Sequence, residues 1–151
     1  MKLIVESKVL AATVSLLKED GLRSRESVVL WLGRRRAGEV RVVEALRPDH
    51  RSGSDFFHIP PASMEALQER LREENLMIGA QVHTHPMEAF HSPVDDRWAI
   101  VRHVGALSLV IPYFAQHARA EAFWDGTAMF VMTAEGRWTA ADPRLHVEQV
   151  L

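Results

Sequence analysis

Near the middle of the chain the sequence reads VHTHPMEAFHSPVDD, gathering His83, His85 and His91 with the adjacent carboxylates Asp95 and Asp96. Imidazole nitrogens and carboxylate oxygens are ligands for divalent metals, and the same side chains move protons near neutral pH. In a strand, residues i and i+2 project from one face, so His83 and His85 can converge on a single point. Two imidazoles so placed, with one carboxylate, make a three-ligand zinc site whose fourth position stays open. That is the arrangement of catalytic rather than structural zinc. Alone, the His-x-His tripeptide reads as a chance spacing or a pair of surface histidines. The proline directly after it and the Ser-x-x-Asp stretch beyond strengthen the metal reading.

Such a site needs a strand to present the histidines and a second element to bring the carboxylate. LMIGAQVH reads as a buried strand that delivers the motif at its end. SPVDDRWAIVRHVG begins as a helix should, with Ser92 at the cap, Pro93 at the first helical position and carboxylates in the first turn. Upstream, residues 6–20 space Val9, Leu10, Val14, Leu16 and Leu17 at helical intervals, with Gly21 as the stop. SVVLWLGR and EVRVVEAL read as the two strands of a hairpin, with Gly33 beginning the turn and Arg34–Arg36 in the loop. That basic cluster reads as a solvated turn rather than a phosphate site. RPDHRSGSD reads as a surface loop, and residues 61–75 as a second amphipathic helix capped by Ser63. Downstream, ALSLVIPYF predicts a strand. EAFWDGTAMFVMTAEGRWTAA predicts strands joined at Asp125-Gly126 and Glu135-Gly136 turns, and the last residues carry no pattern. Helices interleaved with strands predict an α/β fold: one domain over residues 1–151, a mixed β-sheet flanked by helices.

Composition narrows the chemistry. A chain of 151 residues, 47% apolar and 25% charged, matches one ordinary globular domain. A net charge of −2 gives no ground for a nucleic-acid partner. With no cysteine, disulfides, thiolate metal sites and cysteine nucleophiles are excluded. The longest apolar run, VGALSLVIPYFA, is too short for a membrane span and contains a proline. MKLIVESKVLAA carries Glu6 and Lys8 where a signal peptide keeps its apolar core, so a cytoplasmic location is expected. Trp31, Trp98, Trp124 and Trp138 sit in apolar-patterned segments, as core residues do. His50, His58, His103, His117 and His146 show no ligand spacing, and His91 reads as exposed.

His83-Thr84-His85-Pro86 followed by Ser92-Pro93-Val94-Asp95 resembles the JAMM motif of the JAB/MPN metalloproteases, whose pattern is HxHP, a loop, then SxxD. That family also uses an upstream glutamate before an apolar strand ending in glycine, and Glu26 in RESVVLWLG matches it. The order of helix, glutamate-bearing strand, hairpin, helix, strand and motif extends the resemblance over most of the chain, toward the compact prokaryotic members. The resemblance implies a JAB/MPN-like α-β-α layered fold and one zinc ion per chain, held by His83, His85 and Asp95. It implies Glu26 as the general base and Ser92 as the donor to the oxyanion. From the residues alone, Glu26 reads as a solvated carboxylate at a strand start and Ser92 as a helix cap. Pro86 shapes the turn that leaves the strand.

The activity implied is hydrolysis after the C-terminal tail of a ubiquitin-like protein. The partners implied are that protein or its conjugates, with E1/E2-like enzymes of the same pathway, and neither nucleic acid nor membrane. Two other readings stand beside it. One is a JAMM-fold amidohydrolase acting on a small molecule or on a sulfur-carrier C-terminus, which would share every catalytic residue. The other is a non-catalytic MPN scaffold, whose members typically lose the ligands that this chain keeps. Zinc deaminases need cysteine ligands and are excluded.

The loop PMEAFH is one residue shorter than the family commonly has. Counting back from Ser92 selects Asp95 as the ligand; counting on from His85 selects Asp96. Asp95 is preferred, because a helical i to i+3 relation is fixed whereas loop length varies. Asp95→Ala is therefore expected to strip most of the zinc from purified protein, and Asp96→Ala to leave it. Elemental analysis showing the reverse would move the ligand to Asp96.

Overall fold

The computed structural model describes residues 2–54, 57–89 and 100–151. Its framework is an eight-stranded sheet. The strands that lead to the histidines are β1 (Lys2–Glu6), β2 (Val28–Arg36), β3 (Glu39–Leu46) and, after a two-residue pair β4 (Arg51–Ser52) and β5 (Phe57–His58), β6 (Met77–Thr84). Beyond them come β7 (Leu107–Ile111), β8 (Ala128–Met132), β9 (Trp138–Ala141) and β10 (Val147–Val150). Their order across the sheet is β10-β1-β3-β2-β6-β7-β8-β9. β1 runs parallel to β3 and β10, and β6 parallel to β7, while the remaining neighbours are antiparallel. The mixed α/β sheet expected from the sequence is the observed fold.

Two helices cover opposite faces, and the alternation along β2 shows which covers which. Val29 and Trp31 pack with Val9, Leu10, Val14 and Leu17 of α1 (Ser7–Gly21). Val28 and Leu30 point the other way, into a cluster with Leu67, Met64 and Leu71 of α2 (Pro61–Glu74). β2 is thus apolar on both faces, as a central strand must be when each face is covered. Trp31 is fully buried, and its indole N–H donates to Thr13 Oγ1 at 2.9 Å, while that hydroxyl donates to Val9 O at 2.7 Å. The one polar atom of the largest core side chain is thereby satisfied inside α1. Trp124 packs edge-on against Trp31, Trp138 is half-buried, and Trp98 lies outside the described residues.

Several local expectations are corrected. Gly33 does not begin the hairpin turn; it lies inside β2 at a bulge, where a Cβ would come 2.6 Å from Val40 Cγ1 and 2.7 Å from Arg41 O. Arg34–Arg36 are therefore exposed strand residues. The turn is Ala37-Gly38, both with positive φ, as a two-residue hairpin of matching twist requires. Ser63 does not cap α2: Pro60 holds the cap position, with no side-chain hydrogen bond, and the helix closes at Asn75 in the left-handed region. Residues 51–52 of the expected surface loop pair with residues 57–58 just beyond it. Asp125-Gly126 follows a single 3-10 turn at Ala120–Ala122, so it joins no pair of strands, whereas Glu135-Gly136 does link β8 to β9. The C-terminal residues form β10, which pairs with β1 through non-local contacts that no local pattern announces. Among the described residues, no helix is long and apolar enough to cross a membrane.

At the end of α1 the structure buries a charge. Asp20 accepts Ser27 Oγ–H at 2.6 Å and a forked contact from Arg47 at 2.8 to 3.0 Å. His50, its side chain enclosed, stands 3.6 Å away. Burial opposes ionisation of the Asp20 carboxyl, but the Ser27 hydroxyl and the Arg47 guanidinium, with His50 beside them, outweigh it and hold the group below the usual carboxylate range. A carboxyl depressed in this way contributes stability that is full above its unfolded pKa of about 3.9 and is lost as pH falls through the folded value. Asp20→Asn is therefore expected to cost on the order of 3 kcal/mol at neutral pH, because a buried hydroxyl and a guanidinium lose a charged acceptor. The gap between the variant and the native protein should close below about pH 4. Urea midpoints across that range measure it; a pH-independent gap would show that the charge is not what stabilises.

Candidate metal centre

β6 carries the histidines. Ala80 and Val82 belong to the core beneath α1, so the intervening Gln81 and His83 face the opposite side of the sheet. His85 follows one residue after the strand and continues the alternation. His83 is fully buried and His85 is 4% exposed. Their ring centroids are 5.2 Å apart. Residues i and i+2 of a strand are spaced about 6.6 Å, so the two rings lean toward each other. Two imidazoles bonded to one tetrahedral zinc at about 2.0–2.1 Å have centroids roughly 5 Å apart. The pair fits two ligands of one such ion.

The backbone holds that pair from both neighbouring strands. His83 stands opposite Val28 of β2 and beside Val110 of β7. His85 N–H donates to Ile111 O at 3.0 Å, and His85 O accepts Phe114 N–H at 2.8 Å. Tyr113 N–H donates to Met87 O at 2.9 Å, so the chain is held again beyond Pro86. These last donors sit in a short turn in which Tyr113, Phe114 and Ala115 all have positive φ, at 55°, 52° and 59°.

The β2–β6 register leads the chain just before β2, which carries Glu26, toward the same end of the sheet. With Val28 opposite His83, the next step sets Ser27 against Thr84, and both contacts are present: Thr84 N–H to Ser27 O at 3.1 Å and Ser27 N–H to Thr84 Oγ1 at 2.9 Å. The same alternation carried one further step would turn Glu26 toward His85, on the face that His83 and Val28 share. Glu26 is 4% exposed, and its backbone N–H donates to Gly53 O at 2.7 Å. A solvated carboxylate, as its local sequence suggests, is not what the fold makes of it. The burial comes from residues distant in sequence, on β6 and in the segment after β3.

Two buried polar residues support this end of the sheet, Gln81 on the histidine face and Thr84 on the other, without having been singled out from the sequence. Thr84, between the histidines, supplies the hydroxyl that docks the strand carrying Glu26. Gln81 Nε2 donates to Ser108 Oγ at 3.1 Å, and its Oε1 accepts the backbone N–H of Ile100 at 2.9 Å. The signal for Gln81 was present: Gln81, His83 and His85 alternate along AQVHTH, which marks a polar face on an otherwise apolar strand.

The expected ligand Asp95, its alternative Asp96, Ser92, His91 and the start of the helix expected after Ser92 lie outside the described residues; over residues 100–105, where that helix is expected to continue, the chain forms bends and a turn instead. Among the described residues, no group of three or more His, Asp or Glu side chains could hold a metal ion. Among the described residues, the donor set therefore fits zinc only as a pair of imidazoles, one ligand short of a three-ligand site. Of the other histidines, His58, His103 and His117 are exposed and His146 is half-buried.

No protein-family model matches the chain. The chain is 32% identical over 104 residues to the probable metalloprotease y4jG of Sinorhizobium fredii. The match takes in 66% of this chain and 64% of that protein, so the chain spans just under two thirds of its relative's length. In structure it is similar to protein DSY2949 of Desulfitobacterium hafniense, solved in solution, with a TM-score of 0.68 over 98% of this chain and 92% of that one. At 16% identity this second likeness shows the fold alone.

Purified protein is expected to carry about one zinc ion per chain, with most of it lost in His83→Ala or His85→Ala. Zinc retained in full by the double variant would place the metal elsewhere.

Proposed function

We propose that this protein is a zinc-dependent peptidase or isopeptidase of the JAMM type, cleaving after the C-terminal tail of a ubiquitin-like protein. The observation that carries the chemistry is the leaning pair of buried imidazoles, His83 and His85, with Glu26, distant in sequence, buried just ahead of the strand whose Val28 pairs with His83. The similarity to a probable metalloprotease supports a hydrolytic reading. For the substrate class, and for the E1/E2-like partners that would act before it, the support is the resemblance of the HxHP and SxxD elements.

His83 and His85, with Asp95, would hold the zinc. When bound, zinc supplies Lewis acidity, bringing the pKa of a water in its open position toward about 7. Glu26 is the group that accepts the proton from the attacking water and returns it to the leaving amine. Its burial keeps competing water away from the carboxylate, and the Gly53 and Thr84 contacts fix the backbone on either side of it. Ser92 would donate a hydrogen bond to the oxyanion as the carbonyl becomes tetrahedral. The tail itself would lie extended, since an extended peptide presents its carbonyl to such a site with its backbone groups free to pair.

Glu26→Gln preserves size and hydrogen-bonding shape but removes the base. Turnover of a fusion ending in a ubiquitin-like tail is expected to fall by roughly 10² to 10⁴, with zinc content and tail affinity little changed. Elemental analysis and a cleavage assay measure the pair. Loss of zinc would make Glu26 a ligand, and undiminished cleavage would remove it from the reaction.

A further inference from the structure

We infer that the last turn of α1, Asp20 and Gly21, is a positioning element for the candidate site, with one residue acting on Glu26 and the next on His85. The inference rests on the proposed function only for what the positioned groups do; the coupling itself is a matter of contacts.

The first arm runs through Asp20. Its carboxylate accepts the hydroxyl of Ser27, which is fully buried and adjacent to Glu26. Ser27 in turn makes both backbone contacts to Thr84, the residue between the histidines. The Asp20 carbonyl also accepts Arg23 N–H at 2.9 Å and Arg25 N–H at 3.2 Å, so the connection leading from α1 to Glu26 is wound against the helix end. The position of Glu26 is thus referred to Asp20 by side chain and by backbone.

The second arm runs through Gly21. A Cβ at this position would lie 2.1 Å from Phe114 O, well inside van der Waals contact and against backbone that cannot rotate away. Only glycine admits the left-handed turn at this distance. Phe114 is the residue whose N–H holds His85 O, and its neighbour Tyr113 holds Met87 O. The position of His85 is thus referred to Gly21 through one residue, Phe114. Two consecutive residues of one helix therefore contact Ser27, just ahead of β2, and Phe114, which holds the residue just after β6, each by its own route.

Amide hydrogen exchange on the metal-free protein tests this without any activity. Ser27→Ala removes the hydroxyl while leaving Asp20 paired with Arg47. It is expected to speed exchange at positions 26, 27 and 84 by about tenfold or more, with His85 and Phe114 unchanged. Gly21→Ala is expected to do the converse. With zinc added, Gly21→Ala should weaken zinc affinity by about tenfold, whereas Ser27→Ala should keep zinc affinity and lose turnover at unchanged KM. A uniform rise in exchange across the sheet for either variant, or no separation between the two sets, overturns the inference. If Gly21→Ala does not fold, native-state exchange of the unaltered protein decides: the amides of Leu22, Arg23 and Phe114 must open with one shared free energy, and separate openings overturn the Gly21 arm. A native protein that binds no zinc would end the proposed function yet leave the exchange pattern standing, so the two failures are distinguishable.

Discussion

The antiparallel register between β2 and β6 is the constraint on which the site depends. Side chains alternate faces along a strand, so a slip of one residue would carry Glu26 to the α1 side of the sheet and leave the histidines opposite a neighbour of the wrong face. The core makes that slip costly. Val29 and Trp31 would leave the cluster beneath α1, and Val28 and Leu30 would leave the one beneath α2. Burying each such side chain is worth about 1.5–3 kcal/mol, and Trp31 would also lose its hydrogen bond to Thr13. The register shift between Trp31 and Leu32 lies on the far side of these residues from Glu26. It bends the strand without disturbing the pairing that counts.

Polar and apolar burial are separated along the same two strands. β2 is apolar from Val28 to Leu32, while Glu26 and Ser27 precede that run. On β6 the polar residues follow the apolar ones, with His83, Thr84 and His85 at the carboxyl end beside the carboxyl end of the parallel β7. Open α/β sheets gather ligands outside the carboxyl ends of their parallel strands, where chains diverge and polar groups can be left facing a cleft. The antiparallel β2 begins at the place where β6 and β7 end, and it contributes its N-terminal residues there. A mixed sheet can bring a base from one strand start to ligands at another strand's end within a single layer.

Much of this was legible in the sequence, and the exceptions share a cause. α1, α2, β3 and β6 follow from periodicity within a few residues because each signal is local. The convergence of His83 and His85 was readable for the same reason: two residues on one strand face need only the strand. Glu26 was not. Its local sequence resembles a solvated strand start, and only the resemblance to a family marked it out. β10 and the Asp20–Arg47 cluster were silent in the same way, since their partners lie far off in the chain. Gly33 was misread because a glycine at a bulge and a glycine at a turn look alike until the opposing strand is in place. Gln81 was the one omission with a local signal, the alternation it shares with the histidines.

The left-handed turn at Tyr113, Phe114 and Ala115 shows how firmly the surroundings fix this end of the sheet. Left-handed backbone costs an L-residue roughly 1–2 kcal/mol, so three in succession cost about 3–6 kcal/mol. Against a total stability of about 5–15 kcal/mol for an ordinary domain, such a turn persists only where its environment over-determines it. Three contacts do so here. Ala115 is fully buried in the α1-side core, Phe114 O lies against Gly21, and the Tyr113 and Phe114 amides hold Met87 O and His85 O. Unwinding the turn into the right-handed form would relieve the strain but would turn those two amides away from their acceptors. The histidine strand would then lose its backbone restraint just where the rings converge. The strain and the alignment of His85 are therefore two aspects of one arrangement, and the core around Ala115 is what sustains both.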